Sequence, residues 1–208
     1  MQIHTPVLIE AIEARSSVNF FQPGQALSDG AILRLVDLAT RAPSAFNLQN
    51  WRFVAVRSPE QKAKLRALAS GQAKVEDAAV TFILCGQHPR QGSLPSLLAP
   101  SVEAGYMPAA LAADLSAAAD AFYGGNVQLS RDEAIRSASL AGAFLLIAAE
   151  AHGLGACPMV GFDADGVAEA FGLGEDEVPV MLVAVGPAAD GNWPQKPRLA
   201  PTSIAKLV

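Results

Sequence analysis

Apolar residues recur along this chain with two periods, and the places where the period changes mark most of its elements. Residues 6 to 14 set Val7, Leu8, Ala11 and Ile12 on one helical stripe, which Arg15-Ser16-Ser17 ends. After a turn at Pro23-Gly24, Ser28 caps a second helix carrying Ile32, Leu35, Val36 and Ala39. That helix stops at Ala42-Pro43, because proline removes a donor and restricts the residue before it. Phe53 to Val56 reads as a strand. Ser58-Pro59-Glu60-Gln61 opens a third helix that runs to about Ala69, with Pro59 at its first position and a capping box around it.

The uninterrupted apolar run Ala78 to Cys85 predicts a strand buried on both faces, and Val178 to Val185 another. Ser130-Arg131-Asp132-Glu133 reads as a capping box opening a helix over roughly 131–152, closed by Gly153. It is apolar nearly all round between Leu140 and Ala149, so it is expected to be buried on more than one side, centrally or in a dimer interface. Asp163 or Asp165 caps a short helix with Val167, Ala168, Ala170 and Phe171, ended by Gly172. Residues 87 to 129 show only a helix near Ala109 to Ala121, and the tail from Gly186 has no period. Without repeats or a linker, 1–208 reads as a single domain of helices and a few strands, an α+β or α/β layer architecture.

Composition narrows the function classes. Of 208 residues, 51% are hydrophobic and 17% charged, below the roughly 25% usual for soluble proteins. That surplus suggests burial in a subunit interface. A net charge of -5 argues against nucleic-acid partners. No secretory signal is visible, and Ser137 to Ala149 falls short of a membrane span, so the expectation is a cytoplasmic protein with no membrane partner. Cys85 and Cys157 are far apart and read as buried free thiols. His4, His88 and His152 lack metal-ligand spacing, so no metal is expected.

Several familiar motifs are missing: a P-loop, a G-x-S-x-G elbow and H-E-x-x-H. Gly153-Leu154-Gly155 is not a dinucleotide fingerprint, since Pro158 replaces the third glycine and a helix precedes it. Three regions remain. Arg41-Ala42-Pro43-Ser44-Ala45-Phe46-Asn47-Leu48-Gln49-Asn50-Trp51 is a polar loop between a helix and a strand, where ligands are commonly held. Arg15, Lys196 and Arg198 each read alone as solvated surface charge. Together with the hydroxyls of Ser16, Ser17 and Ser44 they offer an anion clamp. Gly153 to Asp163 holds three glycines, read equally as a helix stop with a turn or as backbone close to a ligand.

Arg15-Ser16-Ser17-Val18-Asn19-Phe20 resembles the opening motif of the nitroreductase family, Pro43 to Trp51 its second motif, Gly153 to Asp163 its third, and Lys196-Pro197-Arg198 its basic C-terminal element. Order and spacing agree over most of the chain; 87–129 looks like a variable cap and 186–208 a C-terminal extension. The resemblance implies an α+β nitroreductase-like sandwich, its mainly antiparallel sheet flanked by helices, in an intertwined homodimer with FMN at the interface. It implies an enzyme passing hydride from NADH or NADPH through flavin N5 to a nitroaromatic, quinone or similar acceptor by a ping-pong cycle, with no acid–base residue required. By position, Arg15, Lys196 and Arg198 would hold the FMN phosphate, with Ser16 beside it. Ser17 and Asn19 would face the ribityl chain and pyrimidine edge, and Pro43, Ser44, Ala45 and Asn47 would reach in from the partner. The stretch Pro158, Met159, Val160 and Gly161 would lie along the flavin, the backbone of Val160 and Gly161 near N5. Gly71 stands where relatives have an asparagine, for which Gln72 or Lys74 substitutes. Asn19 replaces a basic residue and Asn50 a proline. Phe46, Met107, Phe122 and Tyr123 are the acceptor-pocket candidates. The same scaffold also suits a flavin-binding redox sensor with little turnover, or a flavin-modifying or dehalogenating relative.

Overall fold

Both long apolar runs become central strands of one sheet. In a computed structural model, which describes residues 7–208, four strands form an antiparallel sheet in the order β1-β2-β4-β3. The strands are β1 (Trp51–Val56), β2 (Val80–Gln87), β3 (Gly155–Met159) and β4 (Glu177–Gly186). Side chains alternate between faces, as a strand's period of two requires. Ile83, Cys85, Leu182 and Ala184 point into one core with Leu65, Val75 and Val167. Val80, Phe82, Val183 and Val185 point into the other with Ile32, Leu35 and Leu145.

Helices cover both faces. On the first lie α3 (Pro59–Leu68), α4 (Lys74–Asp77) and α8 (Ala164–Ala170). On the second lie α2 (Asp29–Ala39) and the long α7 (Val127–Ala151), with α1 (Val7–Ala14) against α7. Caps were legible: Ser28 Oγ accepts from the Ala31 N–H at 3.2 Å, Ser58 Oγ from that of Gln61 at 3.3 Å, and Asp163 from that of Gly166 at 3.0 Å. α7 approaches the sheet closely because small residues face it. A Cβ on Gly86 would meet the Ala134 backbone carbonyl, and one on Gly142 would sit 2.9 Å from Leu84 Cδ2.

Several expectations need correction. α7 starts earlier than 131: Asn126 caps it, accepting from the Leu129 N–H at 3.0 Å. Ser130 instead donates to the Tyr123 carbonyl, and Glu133 turns inward to Ser137 and Arg136, so the apparent capping box is an internal helical turn. α7 meets length and composition criteria for a bilayer span, yet it packs on the sheet. Its face bearing Leu140 and Phe144, both exposed, and the half-buried Ile147 is left partly uncovered by the described residues. Gly155–Met159 is a fourth strand rather than a turn, and β1 begins at Trp51. Finally, 87–129 holds two helices, α5 (Leu94–Glu103) and α6 (Ala109–Tyr123), which bury Leu94, Leu98, Ala112, Ala119 and Tyr123 with Leu48 in a separate cluster.

Candidate functional site: a cation-lined cleft and a strained loop

The chain leaving α1 runs extended alongside the sheet edge. Ser17 bridges Ala156 in β3, and the Val18 N–H donates to the Ala156 carbonyl at 3.0 Å. Gly155 makes this fit possible, since a Cβ there would lie 2.7 Å from Val18 Cγ2. Farther on, Phe21 bridges Ala188 beyond β4. The tail then folds back over the segment. Asn192 Oδ1 accepts from the N–H groups of Asn19 at 2.7 Å and Phe20 at 3.0 Å, while its Nδ2 donates to the carbonyls of Phe20 and Ala189, both at 2.8 Å. Gln195 Nε2 donates to the Arg15 carbonyl at 2.9 Å. These bonds make one side of a cleft from two stretches about as distant in sequence as the chain allows.

The cleft has a volume of about 270 Å³ and brings together Arg15, Ser16, Ser17, Asn19, Pro158, Lys196 and Arg198 as the sequence suggested. Lys74, named with Gln72 as a stand-in for the asparagine missing at Gly71, lies there too, and the fold adds Cys157, Trp193 and Gln195. Four cations thus line it, and among the described residues no carboxylate does, in a protein of net charge -5. Arg15 Nη1 is buried and has no hydrogen-bond partner among the described residues. A buried guanidinium N–H left unpaired is costly and calls for an acceptor. A phosphate would supply one, and the hydroxyls of Ser16 and Ser17 are donors of the same kind.

Lys74 was the least legible member, because its helix has only four residues. Its Nζ lies 2.9 Å from Asn19 Oδ1 and 3.4 Å from Cys157 Sγ. The positive charge missing at position 19 is therefore delivered from α4. Gln72 also bridges: its Nε2 donates to the carbonyls of Ala69 at 3.1 Å and Gly161 at 3.0 Å. It steadies the Val160-Gly161 stretch, where Val160 is 79% exposed and available to a ligand. Met159 differs: its side chain is buried in the core, and it does not line the cleft. The two thiols are free and buried; burial pushes Cys85 up to about 12.

The loop carrying Pro43, Ser44, Ala45 and Asn47 sits elsewhere. Phe46, Asn47 and Gln49 all adopt positive φ, at 52°, 58° and 48°. Side-chain-bearing residues enter that region at a cost of about 1–2 kcal/mol each, and such strain clusters at ligand sites. Ser44 Oγ holds the loop by accepting from the Gln49 N–H at 2.9 Å. Phe46 packs edge-on to Tyr123, which packs edge-on to Phe122, at centroid distances of 6.2 and 5.1 Å; Met107 joins the same cluster. The four acceptor-pocket candidates are thus neighbours, but Tyr123 is buried while Phe122 is exposed. Burial first, and then the Glu133 carboxylate, push the Tyr123 phenol up to about 12.

The cleft borders β3 where it pairs with the end of β4; the loop precedes β1, whose Trp51 pairs with Gly86 near the start of β4. Three strand spacings and about seven residues of rise separate these corners, roughly 25 Å by ordinary sheet dimensions. One chain does not bring the cleft and the loop to a single site.

The chain is similar to several known proteins. The Synechocystis sp. protein DrgA is 36% identical over 180 residues, covering 85% of this chain and 82% of its own. A Bacillus subtilis protein named as an NAD(P)H nitroreductase, YdgI, is 33% identical over 194 residues, covering 92% and 93%. A crystal structure from Exiguobacterium sibiricum, described as a nitroreductase in complex with FMN, superposes with a TM-score of 0.88 at 31% identity, over 97% of each chain. The nitroreductase family profile matches residues 12–187, from the end of α1 past β4, so the motifs, the sheet and the sequence relatives lead to one conclusion: this chain belongs to the nitroreductase family.

Proposed function

We propose that the protein is an FMN-dependent oxidoreductase that draws on NAD(P)H and reduces a nitroaromatic, quinone or similar small acceptor in a ping-pong cycle. The carrying observation is the cleft with four cations and the unpartnered, buried Nη1 of Arg15. The FMN complex of the Exiguobacterium protein and the name of YdgI support the reading. Bound FMN would supply a hydride carrier able to accept from one substrate and give to another.

The residues of this chain do the holding. Arg15, Lys196 and Arg198 neutralise a phosphate, and Ser16 and Ser17 donate hydroxyl hydrogen bonds to it or to the adjoining polyol. Asn19 and Lys74 meet the pyrimidine edge, where the ammonium favours negative charge. The backbone N–H groups of Val160 and Gly161, in the stretch steadied by Gln72, would lie along the flavin and could donate hydrogen bonds to its ring. Pro43, Ser44, Ala45 and Asn47 complete the site from a second copy, a reading supported by the roughly 25 Å between corners. Such a copy has a face to dock on: Ile12, Leu38, Phe144 and Ile147 line an apolar groove of about 390 Å³, with Ile12 and Phe144 exposed. This reading assigns the unusual apolar content to a homodimer.

The test is the flavin absorbance spectrum of FMN-reconstituted protein under anaerobic conditions, before and after NADH and then NADPH. Bleaching by either, reversed by a quinone, is the expected result. Bound flavin that neither nucleotide bleaches would overturn the reading.

A further inference from the structure

Lys74 opens the four-residue helix α4, yet its ammonium is held in place. Val75, the next residue, is fully buried in the same core cluster as Cys157, and its carbonyl accepts from Thr81 Oγ1 of β2 at 3.0 Å. These contacts tie α4 to the sheet. Cys157 lies in the middle of β3, paired with Ala184 of β4, and is 3% exposed. A thiol on a paired strand in a packed core has little room to move. Its Sγ lies 3.4 Å from Lys74 Nζ, and the Pro158 carbonyl, 3.9 Å away, can take its hydrogen. The other partner of the ammonium is Asn19 Oδ1 at 2.9 Å. That residue is oriented in turn: Nδ2 donates to the Ser17 carbonyl at 3.3 Å, and the backbone N–H donates to Asn192 Oδ1 at 2.7 Å. Lys74, Cys157 and Asn19 all border the cleft.

Neither contact cancels the lysine's charge. Among the described residues Lys74 is in no ion pair, and Glu76 of the same helix is taken by Arg66 at 2.6 Å. Sulfur is a weak acceptor. It guides an ammonium without the strong attraction a carboxylate would exert. A cation held but not neutralised keeps its field for a ligand in the cleft. Reduction adds electrons to the flavin ring, so a fixed cation at the pyrimidine edge binds reduced FMN better than oxidised FMN. We propose that Cys157 is a positioning residue: its thiol holds the Lys74 ammonium against Asn19 and, by not neutralising it, lets that charge favour reduced over oxidised FMN. The inference rests on the flavin reading above and assigns no contact between Cys157 and the flavin.

The FMN-loaded protein is titrated anaerobically against a reference dye to give the flavin midpoint potential, and affinity for oxidised FMN is measured by fluorescence. Cys157→Asp places a carboxylate beside the ammonium. Reduced FMN should then lose about tenfold in affinity relative to oxidised FMN, a fall in potential of about 30 mV for a two-electron couple. Cys157→Ala, which only removes the tether, should lose about threefold, or about 14 mV. Cys157→Ser keeps an acceptor and should restore the wild-type value. In a Lys74→Ala background Cys157→Ala should shift nothing further, since its effect passes through the lysine. If Cys157→Asp fails to fold, the alanine and serine variants and the double-variant cycle carry the test. A wild-type potential in Cys157→Ala or in a folded Cys157→Asp, a serine variant no higher than the alanine one, or the same drop with and without Lys74 would overturn the inference and leave the flavin reading standing. A wild type that binds no FMN would overturn the flavin reading and this inference with it.

Discussion

The cleft and the loop, at opposite corners of one sheet, solve the problem of holding a ligand in different ways. The cleft gathers like charge in one place. Arg15 Nη1 has no partner among the described residues, and four cations face one volume. Its scaffold is relaxed and comes from long-range bonds, above all the four made by Asn192. The loop spends polar groups on itself, as Ser44 does on Gln49, and carries its cost in backbone conformation at Phe46, Asn47 and Gln49. An open charged cleft tells what it binds by the charge it lacks. A strained, self-bonded loop reads as a surface shaped for contact, and here the contact is assigned to a second copy.

The largest effect should come from Arg15→Ala. Losing a charge-assisted contact of about 1.5–3 kcal/mol should weaken FMN binding by about 10- to 100-fold, with little change in melting temperature. Unchanged affinity by fluorescence titration would remove the cleft from the flavin site. Asn192→Ala should come next. It frees both the 19–20 segment and the tail, so flavin affinity should drop about tenfold and stability by about 1–3 kcal/mol. That joint loss, read by titration and denaturant unfolding, is the signature of a scaffold residue and separates it from Arg15.

How much of this was legible in the sequence depends on the kind of signal. Ala78 to Cys85 and Val178 to Val185 were readable because a strand buried on both faces needs an unbroken apolar run. β3 was not. It is five residues long, holds Gly155 and Pro158, and takes its place from Val18 on one side and β4 on the other. The start of α7 was misplaced because Ser130 and Glu133 match a capping pattern yet bond elsewhere. In the site, Arg15, Ser17, Asn19, Lys196 and Arg198 were recoverable from their motifs. Lys74 was named only as one of two stand-ins near Gly71, and Asn192 carried no local pattern; folding brings both to Asn19.

Smaller effects sharpen the contrast. Gln49→Gly should relieve the φ of 48° and stabilise the protein by at most about 1 kcal/mol, since the glycine also loosens the unfolded chain. A destabilised variant in thermal unfolding would mean the loop is not strained there. The core thiol gives a pH test. Cys85 is raised from 9.0 to about 12 by burial first and then by Glu177. The unfolded thiol ionises above pH 9 while the folded one stays protonated. Its contribution is therefore complete below pH 9 and lost as pH rises from 9 towards 12, with a slope of at most about 1.4 kcal/mol per pH unit. Comparing denaturant unfolding of wild type and Cys85→Ala across pH 8 to 11 should show the wild type losing ground as pH rises; parallel curves would deny the shift.

The most direct test of the two-corner account is subunit complementation. Arg15→Ala weakens the cleft and an Asn47→Ala, Ser44→Ala double variant weakens the loop, so at an FMN concentration that just saturates the wild type each alone should lose most flavin-dependent NAD(P)H oxidation. Refolded together, they should form mixed dimers in which one of the two sites is intact, with recovered FMN binding and turnover. No recovery in mixtures shown by mass spectrometry to contain mixed dimers would contradict a site built from the cleft of one chain and the loop of another.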